Sequence, residues 1–264
     1  MTRTANILLI DAGNTSTTLG LSGRGRVRDI GRVPTAERRP AAMRRATRRL
    51  LGARAVDAAV LCSVVPAVVP LWRQVLRGLG VARPLVVSHR LQLGVRISYP
   101  RPEAIGADRL ANAAGAVARY GAPVIVVDFG TATTFDVVSR ARGYVGGIIA
   151  PGLNLMFDYL AERTALLPRI RPATVRGNVG RSTRAAMQLG AQWGYRGMVR
   201  EILAQVLRAA GERGAALVAT GGHAAWVVRG ARLGLRLDCD LTLFGLARIY
   251  ELNREKEKRM RVEL

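Results

Sequence analysis

The 264-residue chain is long enough to form one large domain or two of ordinary size, which excludes a small scaffold held together by disulfides. Apolar residues make up 49% of the chain and charged residues 22%, so a largely disordered or collagen-like protein is also excluded. The charge is unusual, because 41 Lys and Arg against 18 Asp and Glu give a net charge of +23. A chain of this charge attracts polyanions.

The positive charge comes almost entirely from arginines spread along the chain, with the densest group, eleven of them, between Arg24 and Arg54. That group contains no aromatic residue to stack on nucleic-acid bases, and it matches no known nucleic-acid-binding module. We therefore expect a solvated arginine-rich face that attracts phosphates, with nucleic acid bound only non-specifically, if at all.

The two cysteines, Cys62 and Cys239, are far apart and belong to no metal or redox motif, so we expect neither a disulfide framework nor a structural zinc site. The first apolar run, Ile7 to Ile10, spans four residues and is too short for the core of a signal peptide. No run approaches the ~18 apolar residues of a membrane span. These features predict a soluble protein of the reducing cytoplasm that does not enter a membrane.

Four short apolar runs along the chain are typical of buried strands, and each ends in turn residues. Apolar residues recur at helical spacing from Leu110 to Val117 and from Met187 to Val206, and a final helix is predicted over Leu243–Arg259. This order of elements indicates an α/β protein. The four predicted strands are Ile7–Ile10, Ala58–Cys62, Val124–Val127 and Ala216–Ala219.

One motif occurs twice in the chain. Asp11–Thr18 aligns with Asp128–Phe135, and 117 residues separate the two aspartates. Each copy follows an apolar strand, and β-branched residues resume directly after its turn, which predicts a strand-turn-strand hairpin and argues against a Walker loop. The repeat predicts two similar halves, residues 1–119 and 120–264, that face each other across a cleft.

The turn of each hairpin is suited to nucleotide phosphates. Glycine lets backbone N–H groups approach the oxygens, and Ser and Thr hydroxyls add further donors. Asp11 could hold a magnesium ion, directly or through water, between itself and the triphosphate. The alternative is an ordinary turn in which Asp and Thr bond nearby backbone groups. Because the same hydroxyl pattern recurs, nucleotide binding is the favoured interpretation.

A carboxylate precedes the helix that begins near Leu110. Asp108 could accept the proton of a substrate hydroxyl that attacks the terminal phosphate of ATP, or it could only cap this helix, and the sequence leaves both open. Arg109 could clamp a substrate carboxylate or be one more surface arginine. Thr220–Gly222 forms a further glycine-rich turn after an apolar strand, where a nucleotide could lie against the backbone.

These motifs resemble those of the type III pantothenate kinases, which belong to the superfamily of acetate and sugar kinases, Hsp70 and actin. The resemblance covers nearly the whole chain, and the motifs follow the family's order and spacing. The combination of Asp-Ala-Gly-Asn-Thr, Gly-Ala-Asp-Arg and Asp-Phe-Gly-Thr-Ala-Thr-Thr is specific. The matching segments are Asp11–Thr15, Ser63–Pro66, Gly106–Arg109, Asp128–Thr134, Gly146–Gly152, Gly180–Thr183 and Thr220–Gly222.

The resemblance implies two actin-like (ribonuclease H-like) halves, each a mixed sheet flanked by helices, with the active site in the cleft between them. It also implies phosphorylation of pantothenate to 4'-phosphopantothenate by ATP, the first step of coenzyme A biosynthesis, in a cytoplasmic homodimer. Two alternatives stay open: a kinase of the same superfamily that acts on another small hydroxy acid, and a basic non-catalytic relative that senses a ligand.

The resemblance further assigns roles to individual residues. Asp108 would be the catalytic base. Asp128 would bind a monovalent cation, K⁺ or NH₄⁺, and Asp11 would lie near Mg²⁺. Pantothenate would contact Tyr99, Gly106, Ala107, Asp108, Arg109 and Thr183, and ATP would contact Asp11, Ala12, Gly13, Asn14, Thr15, Ser16, Thr17, Thr18, Thr131, Gly221 and Gly222.

Overall fold

A computed structural model describes residues 5–23, 25–231 and 233–262. Its internal contacts divide the chain into two units. The first comprises the residues up to Gly121, together with Arg142–Tyr144 and the residues from Asp240 onward. The second comprises Ala122–Ala141 and Val145–Cys239. None of the helices that the structure describes is long and apolar enough to cross a membrane.

The first unit is built on a mixed sheet with the strand order β3-β2-β1-β4-β5. Its antiparallel part is formed by consecutive strands, and its parallel part extends from β1 through β4 to β5. The strands are β1 (Ile7–Ala12), β2 (Ser16–Gly23), β3 (Arg26–Pro34), β4 (Ala58–Ser63) and β5 (Leu85–Val86).

Four helices that the structure describes belong to the first unit. Two of them, α1 (Pro40–Leu51) and α2 (Val69–Arg77), bury their apolar faces in the core of this unit. Residues such as Met43 supply those faces at helical spacing. The other two, α3 (Ala107–Tyr120) and α8 (Leu241–Val262), pack against each other.

Glycine allows α3 and α8 to come into close contact. A methyl group at Gly115 would lie 2.8 Å from the carbonyl oxygen of Leu241, and one at Gly245 would overlap the carbonyl of Ala111. The contacts of α8 with α3 group this helix with the first unit. The sequence had predicted α8 in the second half, residues 120–264.

The final helix predicted from the sequence is confirmed as α8, which begins two residues earlier than Leu243. The side chain of Phe244 on this helix packs beneath the guanidinium of Arg119, 3.9 Å from the ring centroid. Arg119 also forms an ion pair of 2.8 Å with Asp240. These contacts fix the start of α8 on the last turn of α3.

The second unit repeats the architecture with the strand order β10-β9-β6-β7-β8. Strand β6 pairs antiparallel with β7 and parallel with β9, and β9 pairs parallel with β10. The strands are β6 (Val124–Phe129), β7 (Ala132–Ser139), β8 (Gly143–Pro151), β9 (Ala216–Thr220) and β10 (Arg236–Leu237).

The helices of the second unit enclose a second apolar core. A π-helical segment, Ala191–Tyr195, continues directly from one helix into the next. The α-helices are α4 (Leu153–Arg163), α5 (Thr183–Gly190), α6 (Arg196–Ala210) and α7 (Ala224–Ala231).

The two sheets share the same order of connections, which confirms the predicted fold class: two similar halves, each a mixed sheet flanked by helices. All four predicted strands are present, and both motif copies form the predicted hairpins. The second turn is one residue shorter, because Ala12 pairs with Thr17 whereas Phe129 pairs with Thr133. Thr17 and Thr133 are therefore equivalent positions.

Candidate active site

The first hairpin turn exposes polar groups next to Asp11. Asp11 lies at the end of β1, and the N–H of Gly13 donates to the carbonyl of Ser16 at 3.2 Å, which closes the turn. Asn14 and Thr15 at its tip are exposed, and Ser16 is half-buried. The turn therefore presents amide and hydroxyl donors of the kind that bind phosphate. The adjacent carboxylate repels phosphate unless a cation lies between the two.

Two residues of the first motif have buried side chains that a nucleotide could not contact. Thr17 is buried, and its hydroxyl shares a 3.0 Å hydrogen bond with the hydroxyl of Thr35. The side chain of Ala12 is also buried. Any contact of these two residues with a nucleotide must therefore come from the backbone, whereas Thr18, half-buried opposite Asp11, keeps a partly accessible side chain.

A buried thiol lies close enough to the carboxylates of Asp11 and Asp108 to be affected by both charges. Cys62 on β4 is opposite Asp11 on β1, and its side chain is fully buried. Burial raises the pKa of this thiol well above its usual range; the charges of Asp11 and Asp108, and its hydrogen bond to Asp11, raise it further. The thiol is therefore protonated at neutral pH and donates to Asp11. Sequence reasoning missed this role, although Cys62 ends the predicted strand beside Asp11.

Asp108 lies on the first turn of α3 but does not occupy its N-cap position. That position is Gly106, and the Asp108 carboxylate accepts a hydrogen bond of 2.7 Å from the N–H of Arg109. Burial raises the pKa of Asp108, and the backbone N–H and the positive charge of Arg109 partly oppose this effect. Gly106 leaves room for the carboxylate, since a methyl group there would lie 2.6 Å from Oδ1 of Asp108.

Tyr144 packs beside Arg109, and Tyr99 packs on Tyr144. The guanidinium carbon of Arg109 lies 5.8 Å from the ring centroid of Tyr144, and the ring of Tyr99 meets that of Tyr144 edge-on at 6.2 Å. A backbone hydrogen bond of 2.7 Å from Tyr144 to Arg96 holds this segment in the first unit. The structure thus brings together Tyr99, Asp108 and Arg109, and it adds Tyr144, which no motif had indicated.

Thr183 and the second hairpin belong to the second unit. Thr183 is the first residue of α5 and is exposed, directly after the capping residue Ser182, which accepts from the N–H of Ala185 at 3.2 Å. In the second hairpin the N–H of Gly130 donates to the carbonyl of Ala132 at 3.1 Å, and Thr131 at the tip is exposed.

The Thr-Gly-Gly turn packs directly on the second hairpin. Gly221 has a φ of 93°, and a side chain there would lie 2.7 Å from the backbone nitrogen of Phe129 and overlap the carboxylate of Asp128. The N–H of His223 donates to the carbonyl of Phe129 at 3.2 Å. The predicted residues Asp128, Thr131 and Gly221 thus form one assembly, with Gly222 exposed beside it.

A tyrosine that sequence reasoning missed forms a hydrogen bond with the strand that follows the second turn. Tyr195, the last residue of the π-helical segment, is buried and shares a 2.5 Å hydrogen bond with the hydroxyl of Thr133. Burial raises the pKa of Tyr195 to about 12, and the charge of Asp128 contributes to the increase. The phenol therefore stays protonated and fixes the strand that follows the second turn.

No group of three or more His, Cys, Asp or Glu side chains positioned to hold a metal ion occurs in the described part of the chain. A cation held by fewer than three such side chains would need water and the oxygens of its ligand to complete its coordination. Asp11, half-buried beside exposed donors, fits such a magnesium site, because Mg²⁺ in phosphoryl-transfer sites keeps several waters and uses one or two carboxylates.

Two units, each built on its own mixed sheet of the same strand order and each carrying an aspartate-led turn, have the architecture of the actin-like fold. The activator of 2-hydroxyisocaproyl-CoA dehydratase from Clostridium difficile superimposes with a TM-score of 0.54 at 11% identity, over 97% of each chain. MreB5 of Spiroplasma citri superimposes with a TM-score of 0.53 at 13% identity, over 100% of each chain. These similarities establish the fold.

Sequence comparison identifies the family. The family model described as type III pantothenate kinase matches residues 7–205. The type III pantothenate kinase of Akkermansia muciniphila is 49% identical over 241 residues, which cover 90% of this chain and 96% of that protein. The chain therefore belongs to the type III pantothenate kinase family. The family and the phosphotransferase class inferred from the sequence motifs are confirmed.

Proposed function

We propose that this chain phosphorylates pantothenate to 4'-phosphopantothenate with ATP as the phosphoryl donor, the first step of coenzyme A biosynthesis. The observation that carries the proposal is the placement of Asp108, in a chain of this family. Its carboxylate is half-buried, has a raised pKa and lies beside both Arg109 and the Asp11–Cys62 pair.

Asp108 acts as the general base. A carboxylate whose pKa lies above the usual value of about 3.9 accepts a proton more readily, and burial provides this increase. The N–H of Arg109 holds one carboxylate oxygen in place. The substrate hydroxyl gives its proton to Asp108 as its oxygen attacks the terminal phosphorus of ATP and ADP leaves.

Arg109 binds the carboxylate of pantothenate. Its guanidinium can form two parallel hydrogen bonds to a carboxylate, and its position over the ring of Tyr144 limits its freedom before the substrate arrives. Tyr99 lines the same region through its contact with Tyr144. Positioning of this kind contributes much of the rate of phosphoryl transfer, which needs little covalent chemistry from the protein.

Each aspartate-led turn carries donors suited to the phosphates of ATP. Asn14, Thr15 and Ser16 of the first turn and Thr131 of the second supply exposed or half-buried donors for phosphate oxygens. Gly221 and Gly222 let the nucleotide approach the backbone, and Gly13 does the same in the first turn. Asp11 would hold the divalent metal, directly or through water, and its chemistry there would be to neutralise charge on the phosphates.

Asp128 is the ligand we propose for a monovalent cation, K⁺ or NH₄⁺. Its half-buried carboxylate lies against the Gly221 turn and close enough to Tyr195 to affect the pKa of that phenol. A large, weakly hydrated cation at this carboxylate would stabilise the second turn. Activity that is unchanged when sodium replaces potassium would contradict this assignment.

We further propose a cytoplasmic homodimer in which the partner subunit helps to close the pantothenate pocket, with Thr183 among the residues that bind pantothenate. Thr183 is exposed at the start of α5, and the second unit displays large apolar side chains that a partner would cover. These are Ile148, Ile149, Leu155, Tyr159, Leu166, Val179 and Trp193. Both cysteines are free thiols, as in a reducing compartment.

The decisive experiment compares Asp108→Asn with Glu103→Gln, a change at an exposed carboxylate five residues earlier in the chain. ADP release is measured with ATP, Mg²⁺, K⁺ and pantothenate, and binding of a non-hydrolysable ATP analogue is measured by calorimetry. We expect turnover of Asp108→Asn to fall by about 10² to 10⁴, the usual contribution of general base catalysis, with analogue binding retained. Glu103→Gln should behave as wild type.

Two results would overturn the proposal. One is turnover of Asp108→Asn at the rate of the Glu103→Gln control, which would leave Asp108 a structural residue. The other is wild-type protein that consumes ATP with acetate or a simple sugar and not with pantothenate, which would keep the kinase class and reject the substrate.

A further inference from the structure

Two adjacent helices of the first unit carry arginine and no acidic residue. The α1 sequence is PAAMRRATRRLL and that of α2 is VPLWRQVLR. Six arginines on these helices are all exposed. They form the α1–α2 arginine face: Arg44, Arg45, Arg48, Arg49, Arg73 and Arg77.

The arginines of the two helices belong to one surface, because α1 and α2 pack together. Arg48 donates a hydrogen bond of 3.2 Å to the carbonyl of Gly78, the residue that ends α2. A methyl group at Gly78 would lie 2.5 Å from a guanidinium nitrogen of Arg44. Arg77 immediately precedes this glycine, so arginines of both helices meet at the end of α2.

The spacing of the face is regular. The pairs Arg44 and Arg48, Arg45 and Arg49, and Arg73 and Arg77 are each four residues apart on one helix. Such residues are neighbours on the helix surface, separated by about 6 Å along the axis. Three rows of like charge thus run along two packed helices.

This arrangement destabilises the free protein. Like charges four residues apart cost about 0.2 to 0.5 kcal/mol per pair, and no acid on either helix offsets them. From Arg38 to Pro102 the sequence contains thirteen arginines and one acidic residue, Asp57. The carboxylate of Asp57 accepts the N–H of Asn6 at 2.8 Å. A bound polyanion would relieve the repulsion, and guanidinium groups bind phosphates in a bidentate manner.

The residues around the α1–α2 arginine face indicate which class of polyanion it can bind. The large apolar residues of α1 and α2, such as Leu51, Trp72 and Leu76, are buried, so neither helix has an apolar face to insert into a lipid bilayer. Since Trp72 is buried, neither helix displays an aromatic ring on which the bases of a single strand could stack. A duplex, which presents a regular array of phosphates with its bases inside, needs neither feature.

We propose that the α1–α2 arginine face binds the phosphate backbone of double-stranded nucleic acid without reading its sequence. This activity is separate from the kinase reaction, since none of the six arginines belongs to the candidate active site. Phosphoryl transfer does not require these arginines, and binding of a duplex gives them a function.

The experiment compares two variants of the full chain that lose the same charge. Arg45, Arg49, Arg73 and Arg77 are changed to Gln in the face variant, which keeps the two arginines that contact Gly78. Arg140, Arg200, Arg213 and Arg254, which are exposed elsewhere, are changed to Gln in the control variant. Binding of a short fluorescent DNA duplex is followed by anisotropy between about 50 and 200 mM salt, the range over which phosphate contacts dissociate.

With four to six phosphate contacts, log Kobs of the wild type should fall against log salt with a slope of about −4 to −5. The face variant should lose most of its affinity and flatten this slope by about 3 to 4, while the control variant keeps both. Pantothenate kinase activity of the face variant should equal that of wild type, whatever the outcome for Asp108.

Three outcomes would overturn the proposal. Equal loss of binding in both variants would make the affinity a property of overall charge. Release of the duplex by stoichiometric ATP would place it at the nucleotide site. Binding to phosphatidylserine vesicles, or to the single strand, more tightly than to the duplex would assign the face to a different partner.

Discussion

At the scale of single residues, the burial of Asp108 has a consequence for stability that differs from that of a capping residue. Because its folded-state pKa is raised, the folded protein binds the proton more tightly than the unfolded chain does. Ionisation of Asp108 therefore destabilises the fold above this pKa. The effect disappears as pH falls below the unfolded value of about 3.9, where both states are protonated.

We predict that Asp108→Asn does not lower the free energy of unfolding at pH 8, and that any gain over wild type shrinks as pH approaches 4. Urea unfolding of the two proteins across this range measures the difference. A loss of about 1 kcal/mol at pH 8 would show that the bond to the Arg109 amide dominates, as a capping role requires.

The two cysteines should differ in reactivity. Cys62 is fully buried, and its pKa is raised because burial and two nearby carboxylates disfavour the thiolate, whereas Cys239 is exposed. In the native protein at pH 7.5, iodoacetamide should label Cys239 alone, and in urea it should label both. Mass spectrometry of the digested protein distinguishes the two sites. Rapid labelling of native Cys62 would contradict the arrangement around Asp11.

At the scale of elements, the contact between α3 and α8 depends on two glycines. We expect Gly245→Ala to destabilise the protein by about 1 to 3 kcal/mol, the usual cost of overpacking, because its methyl group would overlap the carbonyl of Ala111. Gly197→Ala in α6 is the matched control, because no atom lies within 4 Å of its added methyl group and alanine favours helix by about 1 kcal/mol. Denaturant unfolding should therefore shift in opposite directions.

The hairpins show which elements a sequence can predict. The apolar runs that end at Asp11 and Asp128, and the β-branched residues that resume after each turn, were sufficient to predict strands, hairpins and the twofold repeat. The repeat did not reveal that the second turn is one residue shorter. A gapless alignment pairs Thr17 with Thr134, whereas the strand registers pair it with Thr133.

Contacts between residues that are far apart along the chain could not be predicted from the sequence. Tyr195 supports Thr133 from a π-helical segment 62 residues away, and Tyr144 reaches Tyr99 and Arg109 through a short segment of backbone pairing. Neither tyrosine belongs to a motif that marks its role. The residue pattern singled out Asp108 and Arg109 as candidate site residues, but it did not indicate the tyrosines that contact Thr133 and Arg109.

At the scale of the whole molecule, a net charge of +23 should govern stability as well as binding. Like charges are closer together in the folded chain than in the unfolded one, so their repulsion favours unfolding, and salt screens it within a Debye length of about 10 Å at 0.1 M. We expect the melting temperature to rise by about 2 to 4 °C, equivalent to about 1 kcal/mol, between low and physiological salt.

Scanning calorimetry at several sodium chloride concentrations tests this prediction. The variant that lacks Arg45, Arg49, Arg73 and Arg77 should show a smaller increase, because it starts with less repulsion on α1 and α2. A melting temperature that falls with salt would mean that favourable ion pairs, such as that of Arg119 with Asp240, outweigh the repulsion.

Gly106 has a hydrogen atom in place of a side chain, and this leaves space for the carboxylate of Asp108. Alanine is the smallest possible replacement, and even it would displace the carboxylate of Asp108, because the added carbon would lie 2.6 Å from the carboxylate oxygen. A side chain at position 106 would therefore disturb the position of the Asp108 carboxylate without altering any charged group. The tolerance of the chain to substitution is therefore restricted at Gly106, a residue that is itself expected to contact pantothenate.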